Sequence, residues 1–353
     1  MKAGAGRYAP SPSSDLHLGN LRTAVLAYLV ARGQGLDFRM RLEDLDERCR
    51  PEFARRQLAT LRELGIRWDG PVLRQSERRR VYDAAIKRLA DQGLVYECFC
   101  SRRDILQAAR APHRPPGAYP GTCRRLSAAA ADRRRLVKEP AIRLRAQVAA
   151  FPVKDRLAGE SLQPVDDFIL RRADGLAAYN LAVVVDDAAQ GVTEVTRGDD
   201  LLSSSGRQSY LAELLGLPGV SYSHVPLVYA ASGRRLSKRD ADLAGAALFR
   251  RHGGALGVLE LIAGSIGLGL GDSAAAVTGG VQGRRVAPVP QPPAGAGGEQ
   301  AGSGGEQAGS GGDRMRAGAD GIVPTGGYET DAVMDELVDR FDWERLTIGA
   351  WEV

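Results

Sequence analysis

Leu36, Phe38, Met40 and Leu42 alternate with Asp37, Arg39, Arg41 and Glu43, and a period of two marks a β-strand whose charged side chains gather on one face. A short strand at Arg7 to Ala9 precedes it. The apolar run between the two predicts a helix from about Asn20 to Arg32, stopped by Gly33 and Gly35. Strand, helix and strand in this order open an α/β fold. Two more helices are expected, one over Pro51 to Leu64 with Ala54, Leu58 and Leu61 on one face, the other after Ser76 with its stop at Gly93. Farther on, Phe168 to Leu170 and Leu181 to Val185 read as apolar strands flanking Asp174-Gly175, an antiparallel pair, and Val192 to Arg197 as a further strand. Ala255 to Leu270 is the most apolar later stretch. Glu260, Ser265 and several glycines interrupt it, so it reads as a buried helix and not as a membrane span.

Beyond Leu270 the pattern dissolves. From about Val277 to Gly327 the chain is Gly, Ala, Pro, Gln and Ser, with a seven-residue unit, Gly-Gly-Glu-Gln-Ala-Gly-Ser, doubled from Gly297. No apolar residues stand at coiled-coil positions, and too little apolar surface is present to offset the entropy of ordering, so a disordered insert is expected. Val333, Leu337 and Phe341 then return at helical spacing, the mark of a short helix that docks on the body.

Composition narrows the class. With 44% hydrophobic and 26% charged residues in 353, the chain can bury a real core. A formal charge of +5 favours a polyanionic partner such as RNA, though only modestly. Met1 to Gly6 has no apolar core of a signal peptide and gives way at once to Arg7 and Tyr8, which points to a cytoplasmic protein. Four cysteines are too few for a disulfide scaffold; Cys98, Cys100 and Cys123 cluster as metal ligands do, while Cys49 stands apart as an ordinary thiol.

Pro10-Ser11-Pro12-Ser13-Ser14-Asp15-Leu16-His17-Leu18-Gly19-Asn20 runs from a strand into a helix and delivers a Gly, a His and an Asn to the helix N-terminus. Unpaired N–H groups and the helix dipole favour phosphate there, and an imidazole beside them can donate to a phosphoryl oxygen. Far downstream, Arg235-Leu236-Ser237-Lys238-Arg239 follows Gly233 and precedes Asp240 and Asp242. Alone it reads as a solvated charged loop. A mobile basic loop can also close on an α-phosphate and pyrophosphate.

In order and separation these two segments resemble the paired ATP-gripping signatures of class I aminoacyl-tRNA synthetases. Gly6-Arg7-Tyr8-Ala9-Pro10-Ser11-Pro12, Arg41-Leu42-Glu43-Asp44-Leu45-Asp46, Trp68-Asp69-Gly70 and Gln75-Ser76 are similar to the glutamyl branch, over about residues 6 to 270. The resemblance implies an α/β, Rossmann-like catalytic domain and an ATP-dependent ligase for L-glutamate, with Mg²⁺ accompanying ATP. It implies that Arg7 holds the substrate's side-chain carboxylate, a planar fork suited to that partner. Ala9 and Ser11 would line the pocket, Glu43 would receive the ammonium, and Tyr179 and Arg197 would complete the enclosure. Gly19 would join His17, Asn20 and Lys238 at ATP, the last three being catalytic. Without the motif, Glu43 reads as a surface carboxylate, Tyr179 as a strand aromatic and Arg197 as half of an ion pair. Asn20 replaces the family's second histidine, Arg235 its first lysine, and Ser14 a glycine; Asn still donates a hydrogen bond and Arg is still cationic.

Three thiolates in a Pro/Gly-rich stretch suit a structural tetrahedral zinc. Generic chemistry nominates His113 as fourth ligand, whereas resemblance to the glutamyl-queuosine branch, with its Cys-x-Cys and Tyr-x-x-x-Cys pattern, selects Tyr119. The expected organisation is a first catalytic half over 1–97, a zinc-bearing acceptor-type insertion over 98–180, the second half with the Lys238 loop over 181–276, the low-complexity insert over 277–327 and a short helix over 328–353. A glutamyl-tRNA synthetase reads its anticodon with a large C-terminal helical domain, for which too little chain follows Leu270. The resemblance therefore implies glutamate transfer to queuosine in the anticodon of tRNA(Asp). Charging of a tRNA 3′ end and a non-catalytic RNA-binding relic are the alternatives. Neither a membrane nor an obligate protein partner is expected.

Overall fold

A computed structural model describes residues 4–101, 103–105, 119–230, 233–236, 244–268, 327–342 and 351–352. Lys238, His113 and the stretch 277–326 lie outside the described residues.

The first strand, β1 (Ala5–Tyr8), is buried along its whole length and hands the chain to α1 (Leu18–Gly33), whose face from Leu18 to Ala31 is almost wholly buried. The two can lie this close because residue 6 is glycine: a Cβ there would stand 2.5 Å from the Ala31 Cβ, nearer than van der Waals contact allows. β2 (Asp37–Leu42) returns parallel to β1, carrying Phe38, Met40 and Leu42 into the core as the alternation requires. After α2 (Pro51–Glu63), β3 (Leu73–Arg74) and α3 (Arg79–Asp91), β4 (Val95–Cys98) leaves the main sheet. It pairs antiparallel with β5 (Ala141–Leu144), which pairs with β8 (Ile169–Arg171); α4 (Ala128–Arg135) precedes β5. β6 (Ala150–Asp155) and β7 (Gly159–Pro164), from the same 98–180 span, extend the main sheet instead.

Leu181 to Val185 is not a strand. It lies within α5 (Tyr179–Ala189), in which Leu181 through Asp187 are all buried. A short, unbroken apolar run has no periodicity to separate a buried strand from a helix buried on every side, and α5 is covered by α3, β8, β9 (Val192–Gly198) and α6 (Leu202–Leu214). The Asp174-Gly175 turn does form, with Gly175 at φ +83° and an antiparallel bridge between Arg171 and Ala177.

β10 (Ser221–Val225) completes a seven-stranded sheet of order β3-β2-β1-β9-β10-β6-β7, parallel except for β6 with β7. β1 sits between β2 and β9, where the strand order reverses. Open α/β sheets bind ligands in the crevice beyond the strand ends at such a point. β11 (Val228–Tyr229) follows β10, and α7 (Gly245–Arg251) and α8 (Ala255–Ser265) cover the α1 side of the core. The C-terminal helix α9 (Gly327–Asp339) packs on α1, α2 and α8, with Met334 and Leu337 buried. Gly65, at φ +79°, lets it approach: a Cβ there would meet the Thr330 carbonyl at 2.6 Å. β12 (Trp351–Glu352) pairs parallel with β11. No described helix is long and apolar enough to cross a membrane.

Candidate functional site

At the ends of β1 and β9 a cavity of about 380 Å³ opens, and its walls carry Arg7, Ala9, Ser11, His17, Gly19, Asn20, Glu43, Tyr179 and Arg197 together. Arg7 is buried, donates from Nη1 to the Thr196 carbonyl at 3.1 Å, and has its Nε 3.5 Å from Asp187 Oδ1. Burial pulls the Arg7 guanidinium below its ordinary range, and Asp187 opposes that pull. Arg41 is fully buried and bridges the same Asp187, at 2.7 Å, to Glu43, at 3.4 Å. Burial would lower Arg41 too, but Asp187 and Glu43 win and raise it. Glu43 is pushed up by burial, against Arg41 and Arg7. Two cations and two carboxylates thus alternate behind the cavity, the pairing that buried charges need.

The loop after β1 is held from behind by Gln57, whose amide donates to the carbonyls of Ser11 and Ser14 at 3.2 and 2.7 Å. It ends in a reciprocal cap of α1. The Asn20 N–H donates to His17 Nδ1 at 3.4 Å, and the His17 N–H donates to Asn20 Oδ1 at 3.2 Å. A neutral imidazole that accepts at Nδ1 carries its proton on Nε2, so His17 is poised as a donor. Asn at position 20 is what closes the cap. No acidic residue occupies the first turn of α1, which leaves the positive end of its dipole to an external anion. Arg235 also lines the cavity and pairs with Asp200 at 3.0 Å; Lys238, three residues on, is beyond the described segment.

Tyr179 begins α5, more than a third exposed, and burial of its hydroxyl in the wall pushes its pKa above the ordinary tyrosine range, which keeps the phenol neutral. Several residues that shape the site carry no motif. Asp186 accepts from Gln75, Arg78 and Tyr82 at 2.9, 2.6 and 2.8 Å, tying α5 to α3. Asp187, its neighbour, serves the two arginines. The signal available in sequence is two consecutive acids after Val183-Val184-Val185, since carboxylates inside an apolar run demand partners.

Cys98, at the end of β4, meets Cys100 and Cys123 with all three sulfurs within 4.8 Å of one another. Tyr119 joins them: its hydroxyl lies 3.2 Å from Cys98 Sγ and 3.5 Å from Cys100 Sγ, and Cys100 Sγ lies 3.6 Å from Cys123 Sγ. Zinc bonds of about 2.3 Å to sulfur and 2.0 Å to oxygen in a tetrahedron give edges of about 3.8 Å and 3.5 Å, close to these separations. The donor set and its spacing therefore fit zinc. The apolar cluster around it is small, Tyr96, Phe99 and Ala131 being its other buried members.

Residues 5–256 match the family described as tRNA synthetases class I (E and Q), catalytic domain. The chain is 60% identical over 266 residues to a glutamyl-Q tRNA(Asp) synthetase of Nocardia farcinica, covering 75% of this chain and 85% of that protein. It is 45% identical over 292 residues to the one of Geobacter sulfurreducens, covering 80% and 88%. Among solved structures, a glutamate tRNA ligase from Elizabethkingia meningosepticum in complex with its amino acid superposes with a TM-score of 0.59 at 28% identity, over 68% of this chain and 53% of that one. The glutamate-tRNA synthetase of Elizabethkingia anophelis gives 0.59 at 29%, over 69% and 54%. The chain spans about half the length of those two solved enzymes.

Proposed function

This chain belongs to the class I tRNA synthetase (E and Q) catalytic-domain family and is a ligase of the glutamate-tRNA type, and from that premise we propose that it activates L-glutamate as glutamyl-adenylate and passes the glutamyl group to queuosine in the anticodon of tRNA(Asp). One observation carries the reading: a single cavity combines the Arg7 fork, the Glu43 carboxylate and the His17-capped N-terminus of α1.

In the first step an oxygen of the glutamate α-carboxylate attacks the α-phosphorus of ATP. The bond to the bridging oxygen breaks, and pyrophosphate leaves with the electron pair. Arg7 donates to the side-chain carboxylate and Glu43 accepts from the ammonium, with Ala9 and Ser11 as the wall between and Tyr179 and Arg197 closing the far side. His17, Gly19 and Asn20 hold phosphate at the helix terminus, and Lys238 offsets the charge that develops on the leaving group. In the second step a hydroxyl of the queuosine diol attacks the glutamyl carbonyl carbon, the bond from that carbon to the phosphate oxygen breaks, and AMP leaves with the electron pair and takes up the hydroxyl proton. Mg²⁺ accompanies ATP as counter-ion. Cys98, Cys100, Cys123 and Tyr119 would hold a zinc that crosslinks the 98–180 span and takes no part in the reaction.

The queuosine acceptor is supported by identity of 45 to 60% to enzymes named glutamyl-Q tRNA(Asp) synthetase, against 28 and 29% to glutamate tRNA ligases. An exposed anticodon base is open to a protein pocket in a way that a duplex base is not. The activation step is tested by ATP–pyrophosphate exchange. Exchange that depends on L-glutamate and is not supported by glutamine is expected; equal exchange with glutamine, or none with glutamate, overturns the reading.

A further inference from the structure

Arg197 is a buried cation with only neutral partners. Its Nε donates to His224 Nε2 at 2.9 Å, Nη1 to Gln208 Oε1 at 2.7 Å, and Nη2 to Ser205 Oγ at 2.8 Å and the Leu201 carbonyl at 3.3 Å. No ion pair joins it to a carboxylate among the described residues. Its guanidinium lies over the Tyr222 ring, 4.9 Å from the centroid. A buried guanidinium needs a counter-charge, and Arg197 lines the cavity, so the missing anion is one that the ligand brings.

Behind Arg197, three neighbouring strands line up three side chains. His224 on β10 is the register partner of Arg197 on β9, and Asp155 sits at the end of β6, beside β10. Asp155 Oδ2 takes both the His224 main-chain N–H, at 3.2 Å, and the ring Nδ1. Its Oδ1 takes the N–H groups of Leu157 and Ala158 at 2.9 and 2.8 Å. Every group meeting this carboxylate is a donor. The ring proton therefore belongs on Nδ1, and Nε2 is left as the acceptor that meets the Arg197 Nε–H.

We infer that His224, locked in its Nδ1–H form by Asp155, is the positioning residue that aims Arg197 at a carboxylate of the substrate. The inference rests on the glutamate reading above. Burial holds His224 below the ordinary histidine range, and Arg197 on β9 and Arg7 on β1 add to that, against Asp155 on β6. Asp199, in the turn after β9, also faces the ring, and Ser205 of α6 and Tyr222 of its own strand are its neutral neighbours. The neutral ring is the working form. Protonation as pH falls removes the acceptor and sets a second cation against Arg197, so glutamate binding weakens on the acid side.

The test is pyrophosphate exchange with glutamate and ATP varied separately, in the wild type, His224→Leu and His224→Gln, at neutral and mildly acid pH. Leucine leaves the Arg197 Nε–H without its acceptor and takes the ring N–H from Asp155, which keeps its main-chain donors, so KM for glutamate should rise roughly tenfold or more while KM for ATP stays within about twofold. Glutamine places an oxygen acceptor at about the reach of Nε2 and does not titrate. It should restore part of the loss and flatten the acid rise in glutamate KM. If the leucine variant does not fold, the glutamine variant alone carries the comparison through its pH profile. Unchanged glutamate KM and an unchanged acid rise in a folded variant overturn the inference, as does a parallel rise in KM for ATP. A wild type that shows no glutamate-dependent exchange defeats the underlying reading, and the inference with it.

Discussion

Of the two buried arginines in the cavity wall, Arg197 has four of its five N–H groups engaged by His224, Gln208, Ser205 and Leu201, whereas Arg7 gives one to the Thr196 carbonyl and leans its Nε toward Asp187. Arg7 thus keeps the freer fork. Arg7→Leu should leave the substrate carboxylate unpaired in a buried site, a loss of about 3 kcal/mol or more, and raise KM for glutamate at least roughly a hundredfold; an unchanged glutamate response clears Arg7 of the role. Arg7 and Glu43 were legible because each lies in a short local motif. Asp187, His224 and Asp155 were not. Arg41 meets Asp187 across 146 positions and His224 meets Asp155 across 69, so no local spacing announces them, and only packing brings them to the site.

At the level of elements, the alternating strand β2 and the capped helix α1 follow directly from period and punctuation. The segment after Tyr179 does not, because a run of Leu, Ala and Val buried on every side looks the same in either conformation. Its reading as helix matters to the site: α5 presents Tyr179 at its start and Asp187 two turns later, about 12 Å along the axis, and a strand would set the two roughly 26 Å apart. The Cys98–Cys123 element is the reverse case, with spacing that reads clearly and geometry that fits. Metal analysis of freshly prepared protein should find about one zinc per chain. Tyr119→Phe should weaken zinc retention while His113→Ala leaves it intact; no zinc in the wild type, or the opposite response of the two variants, removes Tyr119 from the site.

For the whole molecule, the candidate site residues concentrate where β1 and β9 part, the crevice that the parallel sheet order dictates. Residues 280–325 offer no apolar periodicity and no candidate catalytic group. Their deletion should leave glutamate activation and thermal stability nearly unchanged, and a large fall in exchange rate would show that the segment contributes to the site. The proposed acceptor would distinguish this molecule from a charging enzyme of the same family by where the glutamate ends up. The most direct measurement is nuclease mapping of labelled glutamate on queuosine-containing tRNA(Asp) after incubation with the protein and ATP. Label on the anticodon fragment, with none on the same tRNA lacking queuosine and little on tRNA(Glu), is the expected result; label on the terminal adenosine would contradict it.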